Sequence, residues 1–195
     1  MKNYTISLFA LFVFVLVSAT VFAQPLKVVT TLTDYAWLTS RIGGELVEVR
    51  AIVEGDQDAH FIRPRPSFVE ILRNADMLIA TGLDLEMWLP SAVDKSGNHK
   101  IRSGEIGYVA AATGMNLKDK PVAYSHIEGG LHLYGNPHVT VSSMNVIQAI
   151  DNIRIGLSRN LPAHAQNFKL NADSLVAEVC RNLYGEELIK ILGQE

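Results

Sequence analysis

Hydrophobic and polar positions follow two rhythms along this chain. Leu26-Lys27-Val28-Val29-Thr30-Thr31 is short, apolar and β-branched, the pattern of a buried strand. Behind it, Ala36, Trp37, Leu38 and Ile42 recur at helical spacing. Asp34 can cap that helix, and Gly43-Gly44 closes it. Over residues 45–53 the alternation returns, with Val47, Val49, Ala51 and Val53 on one face of a second strand. Residues 54–66 carry Gly55, Pro64 and Pro66 and read as an irregular loop, after which Ser67 opens a short helix through Leu72. Residues 77–81 form a third apolar strand ending at Gly82, residues 86–93 a helix, and residues 106–110 a fourth short strand. Strands alternating with helices predict an α/β fold, a small parallel sheet covered by helices, with ligands collecting at the carboxyl ends of the strands.

From residue 143 the period changes. Val146, Ile147, Ile150, Ile153, Leu157 and Leu161 recur at steps of three and four, which predicts a long amphipathic helix. Pro162 can start another helix, in which Phe168, Ala172, Leu175, Val176, Val179 and Leu183 share a face. No strand follows to cover that face, so this C-terminal helix is a surface for self-association.

Composition narrows the chemistry. The 195 residues are 48% hydrophobic, ample for a packed core. With Lys+Arg 17 against Asp+Glu 20 there is no concentrated basic surface and no electrostatic case for nucleic acid as a partner. The single cysteine, Cys180, excludes an intrachain disulfide and a CxxC metal site. Lys2, the apolar run from Ile6 to Val17 and the small-residue ending Val21-Phe22-Ala23 describe a secretory signal peptide cleaved before Gln24. The protein is therefore expected outside the cytoplasm. Phosphate-cradling loops, a nucleophile elbow and HExxH are all missing, so no enzymatic handle is visible.

Six histidines remain to be explained. His99 and His164 sit in polar surroundings and read as surface residues. His60 follows the second strand, and His126, His132 and His138 come six residues apart. On an ideal strand such neighbours would stand ~20 Å apart, whereas a metal needs each ligand within ~2.0–2.1 Å. A shared site requires Gly129-Gly130 and Gly135 to bend the chain. Spacing alone leaves His60 and His138 balanced between a ligand role and a surface role.

Four stretches together resemble a known family. They are Val28-Val29-Thr30-Thr31 with its helix; Asp58-Ala59-His60 leading to Pro64-Arg65-Pro66-Ser67; Ala75-Asp76 through Gly82-Leu83-Asp84-Leu85-Glu86-Met87-Trp88-Leu89; and Gly135-Asn136-Pro137-His138. The likeness is to the zinc/manganese-specific periplasmic solute-binding proteins of ABC importers, solute-binding protein family 9. It implies two α/β lobes joined by a long helix, with metal held between them by two histidines of the first lobe and two residues of the second. His60 and His138 match the first pair, and His132 fits a subgroup with another histidine just upstream. The implied division is a signal peptide (1–23), an N-terminal metal-binding lobe (24–141), a connecting helix (142–161) and a helical remnant of a largely absent second lobe (162–195). The implied cargo is Zn2+, alternatively Mn2+, and the implied partner is the membrane permease of an ABC importer. Val139-Thr140-Val141-Ser142-Ser143 departs from the family's usual continuation, although Ser142 or Ser143 could cap the connecting helix.

Two imidazoles leave a tetrahedral zinc unsatisfied. His132 is the first candidate to complete the shell, with His126, Glu128 and Asp58 behind it. The alternatives to metal capture are an exported metal-independent interaction module, a non-functional truncated remnant, or a metal-dependent hydrolase.

Overall fold

The computed structural model describes residues 24–118 and 132–192. The signal-peptide stretch and His126, Glu128 and Gly129-Gly130 lie outside the described residues. Four strands, β1 (Leu26–Thr30), β2 (Val47–Ala51), β3 (Met77–Ala80) and β4 (Tyr108–Ala110), form one parallel sheet in the order β2-β1-β3-β4. β3 is the most buried strand; its run Met77-Leu78-Ile79-Ala80 is apolar at every position because helices cover both faces. Among the described residues five α-helices accompany the sheet: α1 (Thr33–Gly43), α2 (Pro66–Arg73), α3 (Leu89–Ser96), α4 (Ser143–Asn160) and α5 (Ala165–Leu192).

The expected α/β architecture is present, with local differences. Asp34 is not the cap of α1: Leu32 holds that position without a side-chain bond, and Asp34 lies in the first turn, where its charge faces the helix dipole favourably. β2 is shorter than residues 45–53 because a 3-10 turn occupies Gly44–Leu46; strand pairing nonetheless continues, as Ile52 and Val53 N–H donate to the carbonyls of Thr30 and Thr31. The helix expected over 86–93 runs from Leu89 to Ser96, with Pro90 in its first turn, where a missing N–H costs nothing. Ser142 precedes α4 but makes no side-chain cap bond.

The alternation of side chains across each strand splits the core in two. On one face Val28, Met77, Ile79 and Val109 meet Tyr35, Leu38 and Ile42 of α1, Ile150, Ile153 and Leu157 of α4, and Phe168, Ala172 and Leu175 of α5. On the other, Val29, Leu78 and Ala80 meet Phe68 and Leu72 of α2 and Leu89, Ala92 and Val93 of α3. Gly156 lets α4 lie against the sheet, because a Cβ there would come within 2.3 Å of Val109 Cγ2. The face of α5 expected to stand open is thus spent, over its first three positions, on the core beneath the sheet. Val176 and Val179 pack at its margin, and Leu183 is exposed. The helix breaks at Gly185 (φ 76°, ψ 158°). Cys180 is a free thiol, partly buried. No helix among the described residues is long and apolar enough to cross a membrane.

In this strand order the chain leaves β1 for β2 on one side and returns to β3 on the other. The β1/β3 boundary is therefore the topological switch point, and the loops beyond the carboxyl ends of the strands are where a ligand is expected.

Candidate metal centre

A buried carboxylate closes that switch point. Glu86 is 4% exposed, and its Oε1 accepts from Thr31 Oγ1 at 2.6 Å, after β1, and from the Thr81 N–H at 3.0 Å, after β3. Thr81 Oγ1 pairs in turn with the Tyr35 hydroxyl at 3.1 Å, whose phenol is pushed far above its ordinary range by burial. These bonds anchor the segment 82–88 to the strand ends. Gly82 begins it at φ +82°, with Ala110 so near that a Cβ would meet the Ala110 Cβ at 2.3 Å. A side chain at that position would be both strained and crowded.

His60 comes from the loop after β2, in a 3-10 turn over Ala59–Phe61. Asp58 starts that turn; its Oδ1 accepts from the His60 backbone N–H at 2.9 Å and stands 2.8 Å from His60 Nδ1. The two bonds from His60, backbone first and ring second, hold the Asp58 carboxyl below its usual range, so it stays ionised at lower pH than a free aspartate. Trp88 Nε1–H donates to the Ala59 carbonyl at 2.9 Å and fixes the turn from the far side. Replacing Trp88 by Phe keeps an aromatic ring, trims some buried volume and orphans that carbonyl. The expected cost is about 1–2 kcal/mol, read as a lower urea midpoint with an unchanged slope.

His132 and His138 follow β4. They do not lie on a strand: Gly135 N–H donates to the His132 carbonyl at 3.2 Å, Gly135 adopts φ 101°, and Asn136 Oδ1 accepts from the His138 N–H at 3.0 Å. Two successive turns replace the ~20 Å of an extended chain. Asn136 N–H also donates to the Lys118 carbonyl at 2.9 Å, which returns the segment to the lobe.

One ring nitrogen from each of His60, His132 and His138 lies within 4.8 Å of the other two. His60 Nε2 and His132 Nε2 are 3.2 Å apart, close to the roughly 3.3 Å that separates two nitrogens bound to one tetrahedral zinc. The tautomers sharpen this. Asp58 Oδ1 faces Nδ1 of His60, and Asp84 Oδ1 faces Nδ1 of His132 at 2.9 Å. A carboxylate there places the proton on Nδ1 and leaves a lone pair on Nε2. Two lone pairs at 3.2 Å repel unless a cation, a proton or a metal ion, lies between them. A cleft of about 510 Å³ lined by His60, His132, Asp58, Asp84, Phe61, Leu85 and Met87 opens beside them.

Of the four histidines singled out in the sequence, His60, His132 and His138 meet and His126 lies outside the described residues, while His99 and His164 belong to no such group among the described residues. Asp58 is not in that group; its Oδ1 stands behind His60, at Nδ1. Asp84 was missed as a site residue. It sits inside a recognisable stretch, but its partner lies 48 positions later, a pairing no local pattern encodes.

Comparison with known proteins gives the family. Residues 28–181 match the family model described as zinc-uptake complex component A, periplasmic. The chain is 27% identical over 157 residues to the iron-binding protein YfeA of Yersinia pestis, covering 80% of this chain and 46% of that protein. It is 29% identical over 149 residues to the manganese-binding lipoprotein MntA of Bacillus subtilis, covering 76% and 45%. Among solved structures, the Mn-bound periplasmic metal binding protein of Candidatus Liberibacter asiaticus superposes with a TM-score of 0.66 at 24% identity, over 80% of this chain and 53% of that one. The chain spans about half the length of the relatives it matches.

Proposed function

Because the chain belongs to the periplasmic zinc-uptake component A family, we propose that it captures a divalent transition metal outside the cytoplasm for delivery to the membrane permease of an ABC importer. The ion is cargo, held by His60, His132 and His138 with a fourth position left for water or another donor. The observation that carries this reading is the approach of two Nε2 atoms to 3.2 Å on rings whose Nδ1 sides face carboxylates. Three neutral imidazoles suit zinc better than manganese, which favours carboxylate, carbonyl and water oxygens. Zinc is therefore the first cargo and manganese the alternative. The role is binding, not catalysis.

The division of the chain follows the same reading: export by residues 1–23, a metal-binding lobe over 24–141, a connecting helix over 142–161, and a helical remnant of a second lobe over 162–195, whose first turns pack on the sheet's own core. The periplasm is the compartment it implies.

Calorimetric titration of the chelator-stripped protein with zinc and with manganese tests the proposal. The expected result is one zinc per chain and weaker manganese binding. Absence of saturable binding by either ion would overturn it.

A further inference from the structure

We infer that Asp84 is the positioning residue that makes His132 a metal ligand. The inference rests on the metal-capture reading and adds to it the group on which the third imidazole depends.

Asp84 holds residues 132–133 at two points. Its Oδ1 meets the ring Nδ1 of His132, and its Oδ2 accepts the Leu133 N–H, both at 2.9 Å. Ring and backbone are thereby gripped by one carboxylate, which limits rotation of the imidazole and orders its tautomer together. The carboxylate is sheltered, its side chain 13% exposed against 25% for His132. Its segment is tied down at two points just after it. Glu86 is tied to Thr31 and Thr81, and Trp88 is tied to the Ala59 carbonyl beside His60. A single stretch of seven residues thus registers His132 against His60.

Asp58 serves His60 differently. That pair is two residues apart, and the aspartate is largely exposed. His60 keeps its turn by local geometry and by Trp88, whereas His132 relies on a carboxylate 48 residues away. Loss of Asp84 should leave a two-histidine site.

The test is a double-mutant cycle on zinc affinity with the full protein: wild type, Asp84→Ala, His132→Ala and both together. Asp84→Ala alone should weaken zinc ~10–100-fold, the usual effect of removing a carboxylate behind a ligating histidine. In the His132→Ala background it should cost nothing further, because the two residues act as one unit. Equal losses in both backgrounds would overturn the inference. Nitrogen-15 spectra of the metal-free protein at mildly alkaline pH supply a readout independent of zinc. His132 should carry its proton on Nδ1 in the wild type and shift toward Nε2 in Asp84→Ala. An unchanged tautomer overturns the role of Asp84 even if zinc binds. Failure of the wild type to bind zinc overturns the metal-capture reading and leaves the tautomer result standing. Should Asp84→Ala unfold, Asp84→Asn takes its place; its amide oxygen can keep the Leu133 N–H while its NH2 donates to Nδ1, which moves the His132 proton to Nε2 and should likewise weaken zinc.

Discussion

Zinc titrated into a His60→Ala/His138→Ala variant should give no saturable binding at concentrations that fill the wild-type protein. The size of the effect follows from what a ligand contributes. Structural zinc sites are worth ~10–16 kcal/mol, roughly 3 kcal/mol for each of four ligands, so losing two costs on the order of 10⁴-fold in affinity. His132 would remain with its Nδ1 on Asp84 and its Nε2 facing an empty position. His99→Ala, at an exposed site outside the cluster, should bind as the parent does and controls for a general effect of removing imidazole. A double variant that still binds zinc normally would place the metal elsewhere.

The second large effect is on the fold. Phe168→Ala should destabilise the protein by about 3–5 kcal/mol, the range for truncating a buried phenylalanine. Against a typical total of ~5–15 kcal/mol this is a large share. The ring is fully buried where α5 packs against the sheet-covering helices, in one cluster with Tyr35 and Ile42 of α1 and Ile153 and Leu157 of α4. Removing it leaves a void between three helices, and α5 loses its principal anchor. Urea unfolding followed by circular dichroism gives the change in midpoint. A near-neutral result would mean that the α5 face is not part of this core and stands free for another partner.

Much of the architecture was legible in the residues themselves. A parallel strand buried on both sides must be apolar at successive positions, and residues 77–80 have no other reading. The period of α4 was equally plain, since Ile150, Ile153 and Leu157 can share one face only on a helix. What escaped were features fixed by small local differences. Asp34 has the chemistry of a cap yet is the second residue of the helix, two past the cap position, and α3 starts at Leu89 with Pro90 in its first turn. The site was half legible. His60, His132 and His138 stood out by residue type, but their convergence depends on two turns between residues 132 and 138, and hydrophobic periodicity carries no information about turns of that kind. Asp84 and the anchors Glu86 and Trp88 act across distances of 5 to 55 residues along the chain. Such pairings exist only once the sheet has brought its carboxyl ends together.

His60 and His132 are 72 residues apart. An ion shared between them would be a reversible staple, joining the loop after the edge strand β2 to the segment after the opposite edge strand β4 across the full width of the sheet. Unfolding would have to release it, so occupancy would add stability by mass action, about 2.7 kcal/mol when free ion is at 100 times its Kd. The melting temperature of this lobe would then rise with the supply of metal around it. Resistance to heat or proteolysis would then gauge how much metal the protein holds.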